Sequence, residues 1–155
     1  MEFDSITLNP VGIVKSEIKD GKIMPLSGVT AKIEVFPKFK KALDRIDESS
    51  HLWILSWLHK APRNKMRVVP RKVNPLSDEF GVFAIRCPAR PNPIALTLVE
   101  LNKVEDNILY VTGLDAIDGT PVLDIKPYFK SDIVLSFRAP DINHKKDSDS
   151  EKSGD

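Results

Sequence analysis

The chain has 155 residues, with 23 basic and 22 acidic side chains and a net charge of +1. A chain of this length forms one domain that buries roughly two-thirds of its unfolded surface, so folding requires neither disulfide nor metal. The near balance of charge excludes a polycation, and no apolar run approaches the ~20 residues of a membrane helix. The single cysteine and the absence of a signal-peptide pattern predict a cytoplasmic location.

The first half of the sequence predicts strands and one short helix. Residues 6–14 alternate weakly between apolar and polar, whereas residues 30–36 alternate strictly. In residues 36–47 the apolar positions recur at helical spacing behind Pro37, which suits a first helical turn. Residues 51–59 are rich in Trp, Ile and Leu, which predicts a buried strand.

The second half predicts a series of further short strands, separated by turn signals such as Asp106-Asn107 and Asp118-Gly119. Many short strands with one or two short helices indicate a mainly β fold, an antiparallel barrel or sandwich. No Gly-x-Gly-x-x-Gly motif or βαβ rhythm is present, which argues against a dinucleotide-type Rossmann site. The polar residues 141–155 predict a disordered tail. The predicted strands are residues 80–86, 94–101, 108–113, 122–125 and 133–137.

A basic segment follows the central apolar strand. Residues 60–72 carry six cations and no acid, and three nearby prolines favour an extended loop. The pattern fits either a surface that contacts phosphates or a solvated loop with a positive bias. The six cations are Lys60, Arg63, Lys65, Arg67, Arg71 and Lys72.

Two clusters of charged residues are held by prolines, at 86–93 and 115–128. Proline fixes φ near −65°, so these segments present their side chains from rigid supports. Arg86 and Arg90 in the first cluster offer planar forks for a carboxylate or phosphate, or for salt bridges to Asp115 or Asp118 in the second.

Asp124, Lys126 and Tyr128 alternate along a predicted strand and therefore share one face. That face is either a surface ladder of charges or part of a binding site. His51 and His59 are eight residues apart, an even spacing that would place both on one face of a strand. One cysteine and one further histidine do not complete a set of metal ligands. We therefore expect no metal.

At these segments the chain resembles the TsaA/TrmO-like family, whose characterised members methylate tRNA with S-adenosylmethionine. The most specific matching motifs are Arg90-Pro91-Asn92-Pro93-Ile94 and Asp118-Gly119-Thr120-Pro121. The resemblance implies a β-barrel domain over residues 1–140, unlike the usual Rossmann-type methyltransferases. It also implies a homodimer with the cofactor near the subunit interface. The matching segments are residues 11–16, 50–55, 81–101 and 114–128.

The resemblance further implies a site for S-adenosylmethionine. Arg86 is expected to pair with its carboxylate, and Asp115 or Asp118 with its ribose hydroxyls or its sulfonium. The candidate catalytic residues, which would orient or deprotonate the attacking nitrogen, are Asp118, Lys126 and Tyr128. The residues carried over to the cofactor site are Ser27, Gly28, Val29, His59, Lys60, Arg86, Leu96, Leu114, Asp115, Asp118, Gly119, Thr120 and Pro121.

The implied reaction is methylation of N6 of threonylcarbamoyladenosine in the anticodon loop of tRNA, with the basic segment contacting the anticodon-stem phosphates. Bacterial members of that family continue past the barrel into a second, smaller domain, whereas this sequence passes into a polar tail. Two alternatives therefore stay open. One is a methyltransferase of another substrate, and the other is a non-catalytic module that binds S-adenosylmethionine or RNA.

Overall fold

A computed structural model describes residues 5–143. These residues form two compact units, one of residues 5–60 and 94–133 and one of residues 61–93 and 134–143. The predicted tail falls mostly outside the described residues, so the division of the chain at residue 140 stays a prediction. The strands are β1 (Gly12–Lys15), β2 (Val29–Val35), β3 (His51–Trp57), β4 (Arg67–Val68), β5 (Phe80–Gly81), β6 (Ile94–Glu105), β7 (Ile108–Leu114) and β8 (Pro121–Pro127).

The first unit is a closed antiparallel barrel of six strands in the order β1-β2-β7-β6-β3-β8, with β8 pairing back to β1. The prediction of an antiparallel β-barrel is therefore confirmed. Strands β3 and β6 pair in full register, from His51 opposite Glu100 to Trp57 opposite Ile94. Because β3 and β6 are neighbours in the barrel, residues 61–93 form an insertion between two paired strands.

The barrel interior is filled by alternate residues of its strands, since successive side chains of a strand point to opposite faces. On β2 the inward residues are Ala31, Ile33 and Val35, as the strict alternation predicts. Each fully buried aliphatic side chain contributes roughly 1.5–3 kcal/mol relative to exposure. The remaining core residues are Val14, Leu52, Ile54, Val99, Leu109, Val111, Leu114, Ala116 and Val122.

The predicted helix over residues 36–47 forms two short 3₁₀ helices, Pro37–Leu43 and Ile46–Glu48. Pro37 stands at the start of the first, where its missing N–H is not needed. The apolar side chains that set the helical period, among them Phe39 and Leu43, pack against the barrel core. Two further 3₁₀ helices span Gly21–Ile23 and Lys130–Asp132.

Three strand predictions differ from the structure. The strand predicted over residues 6–14 is only β1, and the strand predicted over 80–86 is only β5, because the chain turns at Gly81 where the Ala84 amide bonds the Gly81 carbonyl. Residues 133–137 form no strand, and Leu135 is 95% exposed. An apolar run there has β propensity but no neighbouring strand with which to pair.

Candidate functional site

The first unit gathers most of the candidate residues at one end of the barrel. Strands β2, β6 and β8 begin at this end and β1, β3 and β7 finish there, because neighbouring strands run antiparallel. We call it the site end. The predicted cofactor residues at the site end are Ser27, Gly28, Val29, His59, Lys60, Leu96, Leu114, Asp115, Asp118, Gly119, Thr120 and Pro121.

Gly28 is fixed by a close approach of two backbones. Its φ is +71°, and a Cβ at this position would lie 2.5 Å from the carbonyl carbon and oxygen of Gly113. The amide of Gly28 donates to the carbonyl of Pro25 at 3.1 Å, and Val29 pairs with Leu114. The barrel itself therefore requires glycine at position 28, whatever lies against it at the site end.

The Asp118-Gly119 turn is tied by several hydrogen bonds to β1 and to the residues that follow it. The Ser16 amide donates to Asp118 Oδ1 at 3.0 Å, and the Asp118 amide donates to the Ile18 carbonyl at 2.7 Å. The Gly119 amide donates to the Val14 carbonyl at 2.9 Å, and Gly119 has a φ of +77°. One carboxylate oxygen of Asp118 therefore stabilises the fold, while Oδ2 makes no hydrogen bond within residues 5–143.

The other polar groups at the site end make fewer hydrogen bonds than Asp118 does. Asp115 is exposed, while the Thr120 hydroxyl is fully buried and has no hydrogen-bond partner among the described residues. A buried hydroxyl without a partner costs about 1–3 kcal/mol, so such a group calls for a further ligand or water. His59 and Lys60 are exposed beyond the end of β3, and Lys60 Nζ lies 3.4 Å from the Lys19 carbonyl.

The three candidate catalytic residues are not brought together within one chain. Lys126 lies on the outer face of β8 and pairs with Asp124 at 2.7 Å. Tyr128 lies beyond the opposite end of β8, where its ring packs against Trp53 at 5.9 Å and His51 at 6.4 Å between centroids. Seven residues of extended chain at ~3.3 Å each place Tyr128 roughly 20 Å from the Asp118 turn.

The second unit holds Arg86 and Arg90. Arg90 is half-buried, and its guanidinium donates to the carbonyls of Val82 and Ile85, the latter at 2.7 Å. Arg90 therefore braces its own loop. Arg86 is exposed and lines a cavity of about 370 Å³ together with Phe83, Arg90 and Ile142, among other residues. Cys87 is half-buried, and its thiol lies 3.3 Å from the Ala89 carbonyl.

The basic segment is only partly available to a ligand. Arg67 forms an ion pair with Glu79 at 2.8 Å, and Arg63 donates to the Pro91 carbonyl at 3.1 Å. Lys65, Arg71 and Lys72 are exposed and take part in no ion pair within the described part of the chain. These three side chains are therefore available for phosphate contacts.

Sequence reasoning missed an apolar face on the outside of the barrel. Trp53 and Leu55 point outward from β3 and pair with Leu98 and Leu96 of β6. Leu96 is 50% exposed and Leu98 is 39% exposed. The inward and outward side chains of β3 are both largely apolar, and this pattern led to the prediction of a fully buried strand.

A polar cluster on the outer face of β6 and β7 was also missed. Lys103 donates to Glu105 at 2.7 Å, which raises the pKa of Lys103 and lowers the pKa of Glu105. A hydrogen bond with Glu105 raises the pKa of Tyr110. Across residues 5–143, histidine, cysteine and acidic side chains nowhere form a group that could hold a metal ion. Nor does any helix in that range have the length and apolarity to cross a membrane.

A closed antiparallel barrel of six strands, with a carboxylate turn and exposed polar groups at one end, places the chain among the small β-barrel proteins. The chain belongs to the TrmO family, because residues 13–132 match the tRNA-methyltransferase O N-terminal domain.

Relatives of known name support this assignment. A probable S-adenosyl-L-methionine-binding protein of Methanothermobacter thermautotrophicus is 45% identical over 136 residues, which cover 85% of this chain and 96% of that protein. The human tRNA (adenine(37)-N6)-methyltransferase is 38% identical over 139 residues, covering 83% of this chain and 31% of the human protein. The crystal structure of TrmO from Pseudomonas aeruginosa superposes with a TM-score of 0.71 at 32% identity, covering 89% of this chain and 63% of that chain.

We expect Gly28→Ala to destabilise the barrel by about 1–3 kcal/mol, since the methyl group would meet the Gly113 backbone at a positive φ. Thermal unfolding followed by circular dichroism measures this effect. Gly21→Ala is the matched control, because a Cβ at Gly21 meets nothing within 4 Å. Equal melting temperatures for the two variants would contradict the close approach of the two backbones.

Proposed function

We propose that this chain is an S-adenosylmethionine-dependent methyltransferase that acts on N6 of adenosine 37 in tRNA, with threonylcarbamoyladenosine as the acceptor. The observation that carries the proposal is membership of the TrmO family together with the match to the human tRNA (adenine(37)-N6)-methyltransferase. The archaeal relatives are named only as binding proteins, so the experiments below separate binding from catalysis.

The site end has groups that suit S-adenosylmethionine. Asp115 and the free Oδ2 of Asp118 are acceptors for ribose hydroxyls, and either carboxylate would favour a nearby sulfonium cation. The unpartnered Thr120 hydroxyl provides a buried hydrogen-bonding group. Leu96, which is 50% exposed near the start of β6, offers apolar surface at the same end of the barrel for an adenine ring.

The protein itself would have to supply little chemistry beyond alignment of the reactants and acceptance of one proton. When bound, S-adenosylmethionine supplies an electrophilic methyl group, and its sulfur keeps the electron pair of the broken carbon–sulfur bond. The protein aligns the N6 nitrogen in line with that methyl group at about 3–3.5 Å. N6 loses its proton as the new bond forms, and Asp118 Oδ2 is the acceptor that we assign at the site end.

Lys126 and Tyr128 would act through a second copy of the chain. Both lie on or beyond β8, far from the Asp118 turn of the same chain, and next to the outer apolar face of Trp53, Leu55, Leu96 and Leu98. Exposed apolar faces of this kind mark protein interfaces, and a two-fold dimer would bury the face on both subunits. We therefore propose a homodimer formed through this face.

The RNA would be held in part by Lys65, Arg71 and Lys72, three exposed cations of the basic segment that form no ion pair in the described structure. Such contacts bind phosphates without reading sequence, so the choice of adenosine rests on the site end. A single-stranded anticodon loop presents its bases for recognition on their edges.

The first test is methyl transfer itself. With labelled S-adenosylmethionine, we expect label in tRNA from cells that make threonylcarbamoyladenosine and none in tRNA from cells that lack it. Equal labelling of both tRNAs would contradict threonylcarbamoyladenosine as the acceptor, while the proposal of a tRNA methyltransferase would stand. Cofactor binding without label in either tRNA would contradict tRNA methylation altogether.

The second test concerns Arg86, whose pairing with the cofactor carboxylate stays a prediction from the family resemblance. Isothermal titration of S-adenosylmethionine should show that Arg86→Ala weakens binding by about 1.5–3 kcal/mol, the range for hydrogen bonds to charged groups. Arg71→Ala, an exposed arginine of the same unit, is the control and should leave binding unchanged. Unchanged affinity in Arg86→Ala would remove Arg86 from the site.

The third test concerns the dimer. Leu98→Glu places a charge on the outer apolar face of both subunits, so dimer affinity should fall at least tenfold, about 1.4 kcal/mol or more. Sedimentation equilibrium measures the change. Leu8→Glu, at a leucine that is 54% exposed before β1, should leave the dimer intact. A wild-type chain that is monomeric at micromolar concentration would contradict the proposal.

A further inference from the structure

Four side chains form a line across the outer surface of the barrel, one on each of four adjacent strands. Lys15 of β1 lies opposite Lys32 of β2, Lys32 opposite Tyr110 of β7, and Tyr110 opposite Lys103 of β6. Directly opposite residues share a face, and strands are ~4.8 Å apart, so the line is about 14 Å long. We call it the lysine row.

The β1–β2 end of the row places two like charges side by side. Lys15 and Lys32 are both exposed, and neither forms an ion pair with any residue from 5 to 143. Like charges that face each other across two strands are destabilising, so this pair lowers the stability of the barrel. A polyanion that bound both ammonium groups would remove the repulsion.

Tyr110 fixes the position of the other charges in the row. Lys32 Nζ lies 5.2 Å and Lys103 Nζ 4.3 Å from the centroid of its ring, within the range of cation–π attraction. Lys103 is also paired with Glu105, whose hydrogen bond raises the pKa of Lys103. The charge of Lys32 also acts on Glu105 through space and helps to lower the pKa of that carboxyl, but the single charge of Glu105 cannot balance Lys15, Lys32 and Lys103 together.

A line of neutral polar groups runs beside the row on the side of the site end. Thr30 Oγ1 lies 3.2 Å from Thr112 Oγ1, which donates to Asn102 Oδ1 at 3.0 Å. Hydroxyl and amide groups contact phosphate and sugar in RNA complexes without adding negative charge. Lys15 precedes Ser16, whose amide donates to Asp118, so the row reaches the site end.

We propose that the lysine row is a second phosphate-contacting surface for RNA, separate from the basic segment, with Lys15 and Lys32 binding the phosphodiester backbone. The proposal rests on the proposed function, because it assumes an RNA substrate at the site end. The row would hold the nucleotides that flank the target base, whereas residues 61–72 of the basic segment belong to the second unit.

The test compares two double variants that lose the same charge. Lys15→Ala/Lys32→Ala removes the two lysines that face each other, and Lys38→Ala/Lys41→Ala removes two exposed lysines of the 3₁₀ helix Pro37–Leu43. Binding of fluorescent tRNA is measured by anisotropy between about 50 and 200 mM salt. The row variant should reduce the slope of log affinity against log salt by about 2, one for each lost phosphate contact.

The control variant should keep the wild-type slope, since a change in net charge alone releases no counterion at a contact. Isothermal titration with S-adenosylmethionine should give wild-type affinity for both variants, which shows that the site end is intact. Equal slopes for the row variant and the control would overturn the inference while leaving the proposed function standing. A wild-type protein that neither binds nor methylates tRNA would overturn both.

Discussion

Closure of the barrel between β1 and β8 is the contact on which the rest of the first unit depends. Only two residue pairs join these strands in register, Gly12 with Val122 and Ile13 with Pro121. The turn before β8 extends this short ladder, because its amides and the Asp118 carboxylate bond the end of β1. Gly12 has to be glycine there, since a Cβ would lie 2.5 Å from the Glu34 carbonyl oxygen.

This constraint gives the Asp118 turn two tasks at once. One carboxylate oxygen holds the barrel closed, which fixes the side chain in a single orientation, and the other is left for a ligand. Pre-orientation of this kind reduces the entropy lost when a ligand binds. It also explains why the carboxylate belongs to a turn rather than to a strand, where both oxygens would face solvent or the core.

The sequence predicts the local parts of this fold and misses the parts that depend on pairing. Strand β2 follows from strict alternation, and the turns at Asp106 and Gly119 follow from residues that tolerate positive φ. The false strand at 133–137 has the same local signal but no partner, and pairing is a non-local property. The β1–β8 closure is likewise invisible in the sequence, because its strands are more than 100 residues apart.

In the candidate site, too, the sequence predicts local features and misses those that depend on strand pairing. The motif residues of the 115–121 segment do lie at one end of the barrel, as a family resemblance can indicate. The even spacing of Asp124, Lys126 and Tyr128 correctly implies one face, but periodicity does not say which end of a strand lies near which loop. The outer apolar face combines residues of two strands and the lysine row residues of four, and only the register of the strands shows that they lie together.

The insertion of residues 61–93 between paired strands has a consequence for how this protein can diversify. The entropy of closing a loop grows only with the logarithm of its length, so doubling the insertion would cost about 0.6 kcal/mol. Strands β3 and β6 are held by a full register of seven residue pairs and do not depend on what connects them. The barrel can therefore stay constant while the inserted unit changes in length and composition, and selection for a new substrate can act on that unit without loss of the fold.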